Sequence, residues 1–143
     1  ITTSVITNSF KKELLEATHN FSSGSGNSFK LALYTNSATL GKSTTSFTTD
    51  NQVSNTGQYT SGGGALTNGG TSLSTNTAII DFADRSFTGV TLTARGALIY
   101  NDTASGDPAV CVLDFGGDKS ASSGTFTIQF PAFTASAAIL RIT

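Results

Sequence analysis

The chain lacks Trp and Met, and in 143 residues it holds one Cys, one His and 2 Pro. Each scarcity removes a class of chemistry. A lone Cys111 closes no internal disulfide and fits assembly in a reducing compartment. Zinc sites need several Cys or His ligands, and this chain offers one of each. Charge is also sparse: 12% of residues are Asp, Glu, Lys or Arg, and the formal net charge is −1. Without a basic stripe or patch, no nucleic-acid partner is expected. Apolar runs fall well short of the ~20 residues a helix needs to span a bilayer, so no membrane partner is expected either. No charged start, apolar stretch and small-residue cleavage site forms a secretory signal. With no Met anywhere and Ile1 first, the chain reads as trimmed at its start.

Catalytic signatures are missing too. No Gly-x-Ser-x-Gly elbow is present. Gly62-Gly63-Gly64 lacks the Lys of a phosphate loop, so loop flexibility is the plainer reading. A Ser-His-Asp triad would depend on His19, which has no sequence partner and reads as a solvated residue at a helix end, where a cation suits the dipole. Asp81 and Asp84, with Asp114 and Asp118, could gather near one sheet end and hold calcium. Neither segment matches the Asp-rich calcium loop, and turn-capping or pairing with Arg is the simpler use. No cofactor, metal or catalytic residue is assigned, and an enzyme is not expected.

Ser, Thr and Gly dominate what remains. Branched Thr suits a pleated, half-buried surface, and Gly and Ser suit the turns between strands. The length fits a single domain, residues 1–143. One helical pattern stands out: Phe10, Leu14, Ala17 and Phe21 share a face, with Leu15 beside them. Asn8 or Ser9 would cap it, and it is expected to end near Thr18–Asn20. Lys11 and Lys12 oppose its dipole, so it depends on packing. In Ser28–Thr35, Phe29, Leu31 and Leu33 point one way, and Lys30, Ala32 and Tyr34 the other. Residues 35–55 are polar, either a surface loop or a turn and a weak strand. Gly62-Gly63-Gly64 forms a hinge or bulge before the short strand Ala65–Thr67. Further strands are expected near 71–74, 77–83, 90–100, 109–115, 124–130 and 137–142. Asp102–Asp107 would form a hairpin loop, and Gly116-Gly117 and Ser122-Ser123-Gly124 would be turns. The spacing predicts a mainly β protein: an antiparallel β-sandwich, jelly-roll-like, with one short N-terminal helix.

Two segments are candidate interfaces. The uncharged run 1–8 could be an extended arm that adds to a neighbour as a strand, with Ile1, Thr2, Thr3, Val5 and Ile6 as contact residues. It could equally pack along its own sheet. Arg95, inside an apolar strand beside Gly96, would pair with Asp81, Asp84 or Asp114, or reach another subunit. Cys111 reads as a small buried hydrophobe. Tyr34, Tyr59 and Tyr100 each lie near an apolar run and read as core residues, with an exposed sugar-stacking platform as the alternative.

The segments SFKKELLEATHNF, SFKLALYTNSATL, DFADRSFTGVTLTARGALIYN and VLDFGGDKSASSGTFTIQFP resemble, in order and coverage, a group of small virion proteins of tailed bacteriophages. The match is weakest over 36–75. The resemblance implies a structural component of the particle that decorates or cements the head by binding the major capsid protein. It implies assembly in the host cytoplasm and residence in the virion. It transfers no catalytic residue. A homo-oligomer is expected, with a trimer favoured. A tail, neck or fibre component and a carbohydrate-binding module are the alternatives.

Overall fold

Alternation along the strand Phe29–Tyr34 sets the architecture. Phe29, Leu31 and Leu33 enter the larger hydrophobic core, while Ala32 and Tyr34 enter a smaller one on the opposite face. A sheet buried on both faces needs two covers, and the chain supplies both. The computed structural model describes residues 1–143. Its elements are β1 (Val5–Ile6), α1 (Asn8–Leu15), β2 (Phe29–Tyr34), β3 (Gly64–Ala65), β4 (Asn68–Ser74), β5 (Thr77–Phe82), β6 (Arg85–Asn101), β7 (Ala109–Ile128) and β8 (Leu140–Ile142). They form a five-stranded sheet, β1-β7-β6-β2-β3, and a three-stranded sheet, β4-β5-β8. All pairings are antiparallel. The protein is mainly β, sandwich-like, with a single short helix, as its Thr-rich, alternating sequence predicts.

On one face of the large sheet, Phe10 and Phe21 join Ile80, Phe82 and Leu140 of the small sheet over Leu31, Leu33 and Ile99. On the other face, Ala38, Leu40 and Phe47 of the polar segment 35–55 pack over Tyr34, Leu98 and Tyr100. That segment carries no regular strand; Ala38, Leu40 and Phe47 work as a lid, while Val53 turns into the larger core.

The long ribbon of β6 and β7 departs from expectation. The strands expected at 109–115 and 124–130 are one strand of 20 residues. The expected turns are bulges within it. Ala94 pairs with Lys119 and Gly96 with Asp114, so Phe115–Asp118 stand against Arg95 alone. Val90 pairs with Gly124 and Leu92 with Ala121, which sets Ser122 and Ser123 against Thr91. Gly116 (φ 78°) and Ser123 (φ 44°) occupy the left-handed region. A bulge and a tight turn demand the same local backbone, so the same residues signal both. On either side of the second bulge, Ser and Thr pair across the strands: Thr93 with Ser120 at 2.7 Å and, further along, Ser86 with Thr127 at 2.9 Å. Such ladders explain the hydroxyl-rich outer face.

The helix is shorter than its apolar spacing predicts. Thr7, rather than Asn8 or Ser9, is the cap, accepting from the Phe10 N–H at 3.3 Å. The helix stops at Leu15, Ala17 turns left-handed (φ 59°), and the Thr18 N–H reaches back to the Glu13 carbonyl at 3.0 Å. Ala17 therefore leaves the core face, and Leu15, the last helical residue, is 91% exposed on the outer side.

His19 is a second correction. It is buried among Phe10, Phe21 and Phe29 rather than solvated. Its Nδ1 accepts from Asn101 Nδ2 at 3.1 Å, which leaves Nε2 to donate to Glu13 at 3.0 Å. Asn101, fully buried at the end of β6, also donates to Asn27, and its Oδ1 accepts from the N–H groups of Thr103 and Ala104. These four bonds fix the amide orientation and tie α1 to the hairpin loop. Asn101→Ala should cost about 3 kcal/mol, because it orphans a buried imidazole nitrogen and two backbone donors. Urea unfolding of the variant beside the parent measures that cost.

Candidate functional site

The two sheets are joined along one side by the continuous run from β3 to β4. On the opposite side β1 ends the large sheet, β8 ends the small one, and the two do not pair. A groove of about 440 Å³ occupies that seam, lined by Phe10 and Leu14 of α1, Ile80, and β8. Register explains its apolar character. Thr71, Ile80 and Leu140 form one cross-strand row, and Leu73, Ala78 and Ile142 form the next, two residues along. Both rows lie on the same face. The first reaches the core, where Ile80 and Leu140 are buried. The second overhangs it: Leu73 is 72% and Ile142 62% exposed. The only charged side chains lining the groove are Lys11 and Arg141.

The arm lies along its own sheet. Val5 pairs with Val112 and Ile6 with Cys111. The Thr7 N–H donates to the Val110 carbonyl at 3.1 Å, and the Asp114 N–H to Ser4 Oγ at 2.9 Å. The Ile1 ammonium donates to the Ala38 carbonyl at 3.0 Å. Ile1 packs on Gly96, where a Cβ would collide with it. The structure thus separates the arm residues. Ile6 lines the groove, whereas Ile1, Thr2, Thr3 and Val5 line a shallow hollow against Ala38–Thr44.

Arg95 sits in the bulge, 3.9 Å from Asp114 and 3.8 Å from Asp118; Asp81 and Asp84 are not its partners. These are loose pairs on a partly exposed side chain, and Nε makes no hydrogen bond, so they contribute at most ~1 kcal/mol. Asp118 also accepts from Asn36 and Asp114 from the Gly116 N–H. Asp84 accepts from the Phe130 N–H instead, and the four carboxylates do not form one cluster. Burial raises the pKa of Asp81, whose Oδ2 has no partner.

The tyrosines are interior. Tyr34 donates to the Thr48 carbonyl, Tyr100 to the Gly62 carbonyl, and the Tyr59 hydroxyl accepts from the Leu33 N–H and donates to Gln52. None presents a face to solvent for stacking on a sugar. Sequence reasoning missed the seam altogether. Only the alternation Ser72-Leu73-Ser74, an apolar residue in a polar strand, hinted at it. No protein-family model matches this chain, and comparison with curated proteins and with solved structures yields no match.

Burial pushes the Cys111 thiol and the Tyr59 phenol up to about 12, and raises Tyr34 and Tyr100 as well. A raised folded pKa means the ionised forms favour the unfolded chain. Stability from these groups is complete below pH ~9 and falls as pH climbs through the alkaline range. Spectrophotometric titration should show little phenolate before the protein unfolds. Alkylation of Cys111 at pH 8 should wait on denaturant.

Proposed function

We propose that this chain is a structural protein of a tailed-phage virion, without catalytic activity, that decorates or cements the head by binding the lattice of the major capsid protein. The observation that carries the reading is the overhang. Leu73, Ala78 and Ile142 continue the core's apolar face into solvent beside an open groove. Apolar surface held out by a rigid sheet and rimmed by polar residues is characteristic of an interaction site. The ordered resemblance from Ser9 to Pro131 supplies the virion setting.

Other features agree with this role. The polar interior is occupied by structural hydrogen bonds: His19 serves Asn101 and Glu13, and the tyrosine hydroxyls serve loop carbonyls. A buried, protonated Cys111 tolerates assembly in a reducing host cytoplasm. Many equal, weak contacts on a symmetric shell sum through multivalency, so a small face is sufficient. A trimer seated among capsid subunits meets the closed symmetry that identical copies favour.

Leu73→Ser combined with Ile142→Ser tests the reading. Both side chains are exposed, so unfolding stability should change by less than ~1 kcal/mol. Binding to heads stripped of the protein should drop sharply, and with it the heat resistance that the parent restores. A parent protein that neither binds bare heads nor protects them would refute the proposal. Its recovery at tail copy number would place it in the tail, neck or fibre.

A further inference from the structure

The seam has three properties that together select one kind of occupant. The first is an open strand edge. β8 pairs with β5 on one side only. Leu140, Arg141, Ile142 and Thr143 all line the groove, so β8 borders it along its length. On the side away from β5, the outward N–H and C=O groups of β8 have no neighbouring strand to pair with.

The second property is apolar depth. Phe10, Leu14 and Ile80 supply the wall behind that edge. An added strand would place alternate side chains against them.

The third is charge. Lys11 and Arg141 are both exposed, and neither takes part in an ion pair; Arg141 donates only to the Ser136 carbonyl. No carboxylate side chain lines the groove; the acids of α1 nearby are engaged elsewhere, Glu13 with His19 and Glu16 with Lys12. A second copy of this chain fits poorly. Antiparallel pairing of β8 with itself about its middle residue would set Arg141 against Arg141, and like charges directly opposite are destabilising. The arm offers no acid either, and it is already paired within its own sheet.

We infer that the seam binds an extended, acid-bearing apolar segment of a different protein. The segment adds to the free edge of β8 as a strand, with its apolar side chains over Leu14 and Ile80 and a Glu or Asp beside Lys11 and Arg141. This names the partner chemistry of the docking face and takes its biological setting from the reading above.

The experiment is an amide-resolved NMR titration of the ¹⁵N-labelled chain with a short blocked peptide alternating Val and Glu, beside the same peptide carrying Lys for Glu. The acidic peptide should move the amides of Leu140–Thr143 and of α1, and the basic one should leave them in place. Lys11→Glu with Arg141→Glu should weaken the acidic peptide by at least about tenfold and reverse the preference. Each single variant, read in the same spectrum, also confirms the fold. Absent shifts, or equal response to both peptides, would overturn the inference. So would laurate occupying the groove while the peptide does not, or a concentration-dependent dimer formed through β8. Particle binding is scored apart from this. Heads that bind the charge-reversed variant as well as the parent would sink the inference alone, whereas a parent that ignores heads would sink the capsid reading and leave the peptide result standing.

Discussion

The half-strand Gly96–Asn101 is buried on both faces, and the rest of the molecule is arranged to cover it. Ala97 and Ile99 face one core, Leu98 and Tyr100 the other. Flanking strands β2 and β7 protect its backbone. One cover is a polar segment that sets Ala38, Leu40 and Phe47 against it; the other combines α1 with a small sheet. A three-stranded sheet is too narrow to roof a five-stranded one. The sandwich therefore closes where β3 runs into β4 and stays open where β1 faces β8. The groove and the overhanging row follow from that mismatch of widths.

Polar groups taken into this interior have been given partners with few exceptions. The Asn101 amide uses both its nitrogen and its oxygen, and three tyrosine hydroxyls reach backbone groups. Such bonds cost little when complete and much when broken, so they fix which loop lies where. The exceptions are Asp81 Oδ2 and the Nε atoms of Arg85 and Arg95. Arg85 is compensated in part by the Phe87 ring, 4.6 Å from its guanidinium, and its side chain fills the space a Cβ at Gly64 would need.

Strand alternation was legible in the sequence wherever one face differed from the other, as in Phe29–Tyr34, and the hairpin at 102–108 was legible from its turn residues. The helix boundary was not, because Ala17 continues the apolar spacing while its backbone leaves the helix. His19 looked solvated because its partner Asn101 lies 82 residues away. The merging of two strands into β7 was hidden by Gly116 and Ser123, which serve a bulge as well as a turn. The seam was out of reach: it arises from the relative widths of two sheets, which no local pattern encodes.

The four-against-one bulge at Arg95 has a mechanical consequence. Phe115–Asp118 stand off a ribbon whose alignment is held on both sides, by Ala94 with Lys119 and Gly96 with Asp114. Extra sequence grafted between Gly116 and Gly117 would lengthen an existing excursion and leave the registration of Phe126 and Ile128 untouched. That makes the bulge a natural mast for carrying an inserted peptide clear of the sheet.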